Sequence, residues 1–212
     1  MSSQTVTWPK LKRDLVGILR GVRPDEVGAI VDELLEAGFE AIEVPLNSPD
    51  PLKSIEIAAR RAPSGVLIGA GTVLTVEDVN AVHDAGGSIV VSPNTEPDVI
   101  RQTVAKGMVS MPGVFSPTDA LAAARAGATC LKFFPAGILG ASGIKAMSAV
   151  LPKGLPIGAV GGVSEKNFAE YAKVGIRTFG LGSSLYSEGA SAAEVRQRAD
   201  AAVKVYDEVF GV

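Results

Sequence analysis

The sequence predicts an α/β fold, a single (βα)8 barrel of the TIM type, on three observations. A helix-ending glycine followed at once by an apolar run occurs seven times, at Gly38, Gly65, Gly86, Gly107, Gly127, Gly154 and Gly175, with separations of 27, 21, 21, 20, 27 and 21 residues. Glycine is favoured just past a helix end because it takes the left-handed conformation without steric cost. The apolar runs are short and nearly continuous, as parallel strands covered on both faces are. Amphipathic segments fill the gaps, so strand and helix alternate eight times. A doubly wound open sheet is the competing arrangement. Its first strand usually leads into G-x-G-x-x-G, which Gly17-Ile-Leu-Arg-Gly21 does not match.

In chain order, residues 1–14, with Trp8-Pro9, read as a pre-barrel segment placed to cover the bottom of the barrel. Strands are expected at 15–19, 41–44, 66–69, 88–91, 108–110, 129–133, 157–160 and 177–181. Helix starts are marked by Pro24-Asp-Glu-Val, by the capping patterns Thr75-Val-Glu-Asp and Ser164-Glu-Lys-Asn, and by Ser116 followed by Pro117. A last helical segment spans 192–210. No linker or low-complexity tract interrupts the series, so residues 1–212 are expected to form one domain.

Composition narrows the function. The chain has 212 residues, 47% of them hydrophobic, and a formal net charge of −3. Its Lys and Arg are scattered, which argues against a nucleic-acid partner. No apolar run approaches the ~20 residues of a membrane span, and residues 1–7 lack the apolar core of a signal peptide. One cysteine, Cys130, and one histidine, His83, leave no internal disulfide and no zinc site of the usual type. A cytoplasmic location, no metal and no cofactor are therefore expected. His83 falls on an expected helix and reads as a surface residue.

In such a barrel, reactive groups come from the C-terminal ends of the strands and the loops after them. Those positions hold Arg20, Glu43, Asn47, Ser48, Thr72, Pro93, Asn94, Pro112, Gly113, Lys132, Gly161, Gly162, Gly182 and Ser183. Lys132 lies in Ala128-Thr-Cys-Leu-Lys-Phe-Phe-Pro135, where six of eight residues are apolar. Lysine is rarely buried unless paired or used. Burial disfavours its charged form, and a neutral amine attacks carbonyls. The alternative is an edge-strand lysine that snorkels into water.

Strand alternation puts Ala41 and Glu43 on one face, with Ile42 and Val44 on the other. It likewise pairs Cys130 with Lys132, and Leu131 with Phe133. Glu43 and Lys132 would then both point into the barrel mouth, either as a buried ion pair or as acid/base and nucleophile. Cys130, one step deeper, reads as barrel filling. The glycines of the last two loops, Gly161-Gly162 and Gly182 beside Ser183, occupy the positions where barrels commonly bind a phosphate through backbone N–H groups. Arg20 can add a charge-assisted contact to a carboxylate or phosphate.

Gly17-Ile-Leu-Arg-Gly21, Glu43-Val-Pro-Leu-Asn-Ser-Pro49, Gly69-Ala-Gly-Thr-Val73, Ser92-Pro-Asn94, Leu131-Lys-Phe-Phe-Pro135, Ala159-Val-Gly-Gly-Val163 and Gly180-Leu-Gly-Ser183 together resemble the family of 2-keto-3-deoxy-6-phosphogluconate aldolases. The motifs run in order from about Leu15 to the C-terminus. Asn47-Ser48-Pro49 and Ala159-Val160 draw the resemblance toward the galactonate-specific members, since the gluconate enzymes usually carry Arg and Thr where Asn47 and Val160 stand.

The resemblance implies a metal-independent class I aldolase, a lyase of carbohydrate metabolism acting in galactonate degradation, and a homotrimer. The implied substrate is a phosphorylated keto acid, 2-dehydro-3-deoxy-6-phospho-D-galactonate, cleaved to pyruvate and D-glyceraldehyde 3-phosphate. Lys132 would form the Schiff base and Glu43 would be the general acid/base. Arg20 and Thr72 would hold the carboxylate end, with Asn47 and Pro93 also in the binding site. Val160 would orient the substrate, and Gly161, Gly162, Gly182 and Ser183 would bind the phosphate. The gluconate epimer as preferred or additional substrate, a non-covalent isomerase or decarboxylase, and a sugar-phosphate binding module remain as alternatives. Phe115 and Phe134 are apolar positions suited to an oligomer contact.

Overall fold

The computed structural model describes residues 6–212; residues 1–5 of the expected pre-barrel segment lie outside them. The strands are β1 (Leu15–Ile18), β2 (Ala41–Pro45), β3 (Leu67–Gly71), β4 (Ile89–Val91), β5 (Val109–Met111), β6 (Gly113–Val114), β7 (Leu131–Phe133), β8 (Ile157–Val160) and β9 (Thr178–Leu181). Their order is β5-β4-β3-β2-β1-β9-β8-β7-β6, every pairing parallel. The expected fifth strand is split at Pro112. Proline has no N–H to give to a ladder, so pairing lapses there. Its first half pairs with β4 and its second half with β7, and this shared stave closes an eight-stave (βα)8 barrel.

The bounds of the other strands shift by at most two residues from expectation, and Ile157–Val160 falls where expected. Strand β7 begins only at Leu131; just before it the Thr129 and Cys130 N–H groups both converge on Ser110 O, and the Thr129 Oγ1 donates to Ser110 O at 2.7 Å and accepts from Ser110 N–H at 2.6 Å.

The helices are α1 (Pro24–Ala37), α2 (Pro51–Arg61), α3 (Val76–Asp84), α4 (Pro97–Ala105), α5 (Pro117–Ala126), α6 (Ala136–Ser148), α7 (Phe168–Ala172) and α8 (Ala192–Phe210). Thr75 and Ser116 accept N–H bonds from Asp78 and Asp119, as helix-capping residues do. After Ser164 the chain forms a 3-10 turn, Glu165–Asn167, before the short α7. All seven joint glycines have φ between 76° and 98°, the left-handed region that a side chain would strain.

Two apolar layers follow from strand alternation. Ile42, Val44, Leu131 and Phe133 pack outward under the helices. Val16, Ile18, Ala41, Leu67, Ile89, Met111, Cys130 and Val160 fill the barrel itself, and Val6, Trp8 and Leu11 pack against that inner layer. The first and last segments are tied together. Arg13 makes two bonds of 2.6 Å to the Asp207 carboxylate, and the Tyr206 hydroxyl accepts from Asp14 N–H. Two-point guanidinium–carboxylate pairs are the strong kind. Phe168 and Phe179 stack at 4.4 Å beside Tyr206 and Phe210, sealing the corner where stave one meets stave eight. Among the described residues no helix is long and apolar enough to cross a membrane.

Candidate active site

The inner layer that is apolar at depth turns polar one residue further along two strands. On β2, Ala41 gives way to Glu43, and Lys132 follows Cys130 toward the mouth through β7. Both end up buried, Glu43 2% exposed and Lys132 6%. Their strands are four staves apart, on opposite sides of the barrel. They line one cavity of about 190 Å³ together with Ile18, Arg20, Thr72, Pro93, Phe134, Val160, Gly161, Gly162, Val163, Gly180, Gly182 and Ser183. The snorkelling alternative for Lys132 does not hold.

Electrostatics place both groups near neutrality. Burial pushes the Glu43 carboxyl up to about 7, against the pull of Lys132, Arg20 and the Gly71 N–H toward lower values. Burial also lowers the Lys132 ammonium to about 8, with Glu43 opposing that fall and Arg20 adding to it. The carboxyl atom Glu43 Oε2 has no hydrogen-bond partner among the described residues. An unbonded buried carboxylate oxygen costs about 1–3 kcal/mol, and a substrate hydroxyl or water reaching it would remove that cost. The neighbouring backbone must be bare for Glu43 to sit there: a Cβ on Gly71 would lie 2.1 Å from Oε2.

One end of the site is built from loops one to three. Arg20 is exposed, yet its guanidinium is held: Nη1 donates to Asn47 Oδ1 at 2.6 Å, and Nη2 reaches Thr72 Oγ1 at 3.5 Å. The loop carrying Arg20 is fastened by Gly21 N–H donating to the buried Ser48 Oγ at 2.9 Å. Thr72 has φ 57°, a conformation that costs a non-glycine residue on the order of 1–3 kcal/mol and tends to persist at functional sites. Asn47 does not itself line the cavity; it stands behind Arg20. Ser48, Asn94, Pro112 and Gly113 also stay outside the cavity wall.

At the opposite end, loops seven and eight turn their carbonyls away. Gly161 O accepts from Gly137 N–H, Gly162 O from Asn167 Nδ2, and Val163 O from Ser184 Oγ. Gly182 O accepts from the N–H groups of Leu185 and Tyr186. The N–H groups of Gly162, Gly182 and Ser183 have no partner among the described residues. Gly161 and Gly162 are consecutive left-handed residues, φ 86° and 78°. Free N–H groups with carbonyls tied back form an anion-binding concavity.

Phe134 is the residue whose place the sequence did not give. It was expected near an oligomer contact, as an apolar position after a strand, but its ring covers Lys132 Nζ at 4.7 Å. Ile18 and Gly180 were also not singled out. Phe115 is exposed. Cys130 is buried among the inner-layer side chains and burial pushes its thiol up, out of reach of a reactive thiolate. His83 is exposed and lies beside Asp84. Among the described residues no three His, Cys, Asp or Glu side chains gather as metal ligands would.

The chain is similar to several known proteins. A family model described as "KDPG and KHG aldolase" matches residues 10–202. The chain is 62% identical over 203 residues to "Probable 2-dehydro-3-deoxy-6-phosphogalactonate aldolase" of Rhizobium meliloti (strain 1021), covering 96% of each chain. It is 44% identical to "2-dehydro-3-deoxy-6-phosphogalactonate aldolase" of Escherichia coli (strain K12), covering 93% of this chain and 96% of that one. The solved "Native KDPGal structure" superposes with a TM-score of 0.94 at 43% identity, covering 97% of this chain and 100% of that chain.

Proposed function

Because the chain belongs to the KDPG and KHG aldolase family, we propose that its cavity cleaves 2-dehydro-3-deoxy-6-phospho-D-galactonate to pyruvate and D-glyceraldehyde 3-phosphate through a Schiff base on Lys132. The observation that carries this reading is the pair of buried groups on opposite staves, an amine shifted down to about 8 and a carboxyl shifted up to about 7. Near neutral pH the pair can give or take a proton at either end, which is what acid–base chemistry at a carbonyl needs.

The steps balance without a redox partner. Neutral Lys132 Nζ attacks the C2 ketone to form a carbinolamine, and Glu43 gives a proton to the departing hydroxyl, which leaves as water. The resulting iminium draws electrons from the C3–C4 bond while the Glu43 carboxylate takes the C4 hydroxyl proton. Glyceraldehyde 3-phosphate departs and leaves a neutral enamine. Protonation of that enamine at C3 and attack of water on the imine release pyruvate and restore the amine.

Arg20, steadied by Asn47 and facing Thr72, is suited to the substrate carboxylate, and the Gly161, Gly162, Gly182 and Ser183 N–H groups to the phosphate. Val160 and Pro93 wall the space between. Val160 offers no hydrogen bond to the carbon-4 hydroxyl, which favours the galactonate epimer over the gluconate one in the way its relatives' names suggest. The exposed Leu74, Phe115 and Ile138 are apolar positions fit for the contact of a homotrimer. The free thiol of Cys130 suits a reducing cytoplasm, where the reaction would serve galactonate degradation.

The deciding experiment is borohydride reduction in the presence of pyruvate, followed by peptide mass mapping. A reduced pyruvyl adduct on Lys132 is expected. An unmodified Lys132 together with full turnover would end the Schiff-base reading.

A further inference from the structure

The face of the Phe134 ring lies against the one atom where the proposed reaction gathers positive charge. Lys132 Nζ sits over it, 4.7 Å from the centroid. The contact is largely shielded from water, since Lys132 is 6% exposed, and a cation over an aromatic face gains most where it is desolvated. The ring is held from two sides. Phe134 N–H donates to Val114 O at 3.1 Å. Against the ring the chain at Gly161 passes so close that a Cβ there would lie 3.2 Å from Cδ2 and Cε2.

We propose that Phe134 is a further catalytic residue, whose ring face stabilises the cationic iminium on Lys132 Nζ relative to the neutral enamine and the free neutral amine. The inference rests on the Schiff-base reading above. Glu43 is the only anionic side chain lining this cavity among the described residues. It gives up its proton as the departing hydroxyl leaves and takes the C4 hydroxyl proton as the C3–C4 bond breaks, while Arg20 adds a second positive charge nearby. A ring quadrupole does not titrate, so its attraction stays constant while the charge on Glu43 comes and goes. When the C3–C4 electrons reach nitrogen the charge disappears and the ring's contribution with it.

The test replaces Phe134 in the full chain by 4-fluoro-, 3,5-difluoro- and 3,4,5-trifluorophenylalanine, which keep nearly the same shape while draining the ring face. The fraction of Lys132 trapped by borohydride is read against pyruvate concentration. The iminium formation constant should fall stepwise, by about tenfold across the series, in proportion to each ring's affinity for a cation. Phe134→Leu should fall to about the level of the trifluoro ring. A flat series, with the unaltered protein trapped normally, would overturn the inference, and so would loss in Phe134→Leu alone, which would mean that the ring only fills space. Failure to trap the unaltered protein would remove the Schiff-base reading and this inference together.

Discussion

Glu43 and Lys132 stand on opposite staves of the barrel, both buried, and each moves the other's proton affinity: the amine pulls the carboxyl down from where burial alone would put it, and the carboxylate pulls the amine up. Between about pH 7 and 8 the pair holds a single proton, and its titration belongs to the two groups jointly.

The pH dependence follows from that coupling. For the unaltered chain, kcat/KM should be bell-shaped with a maximum between pH 7 and 8, since a doubly protonated pair lacks a nucleophile and a bare pair lacks an acid. Glu43→Gln should lower kcat/KM by about 10²–10⁴. It should leave a single limb that rises with pH, its midpoint below 8 because the carboxylate that raises the amine is gone. A pH–rate series on both proteins checks this. An unchanged bell in the variant would remove Glu43 from the chemistry.

The same burial should cost stability. The folded carboxyl titrates near 7 and the unfolded one near 4.5, so the folded state holds its proton more tightly. The neutral form's advantage is complete below pH 4.5 and is lost as pH rises to 7. At pH 7 and above the charged form costs about 3 kcal/mol. Glu43→Gln should therefore match the unaltered chain in Tm near pH 4.5 and exceed it by several degrees above pH 7. Melting curves across that range test the sign. A Tm difference that shrinks with rising pH would contradict it.

Asn47 holds a guanidinium that is otherwise free to wander in solvent. Asn47→Ala should raise KM by roughly three- to tenfold with little change in kcat, because the contact orders Arg20 before the substrate arrives. Arg20→Met should raise KM further and make the Asn47 substitution silent. Steady-state kinetics on the double mutant decide: additive losses would mean that Asn47 acts on something other than Arg20.

Val160 offers only methyl groups to the cavity. Val160→Thr keeps the volume and adds a hydroxyl, so the ratio of kcat/KM for the gluconate epimer over the galactonate epimer should rise, roughly tenfold at most. Side-by-side rates on the two epimers measure it. No change in the ratio would move stereochemical choice to another wall.

What could be read along the chain was whatever has a period or a fixed local conformation. The seven glycines marked seven joints because a left-handed residue at a helix end is a local steric demand. Alternation along 41–44 and 130–133 placed Glu43 and Lys132 on the inner face because a strand sends successive side chains to opposite sides. The split of one stave at Pro112 was missed although its cause, a missing N–H, lies in a single residue.

The side chains around those two groups were decided elsewhere. Phe134 read only as an apolar position after a strand because its place depends on the ring meeting Lys132 Nζ and the chain at Gly161, 27 positions further along the sequence. Gly71 was one of several strand glycines until the Glu43 carboxylate was found against its Cα, and Asn47 proved to hold Arg20 rather than face the cavity. The sequence by itself determined the barrel, the faces of its strands and the inward placement of Glu43 and Lys132, since these follow from backbone sterics and side-chain alternation. Only the closed tertiary structure decided the two shifted proton affinities, the aromatic face over the amine and the outward-tied carbonyls of loops seven and eight. Each of these arises from groups far apart in the chain meeting where water is excluded.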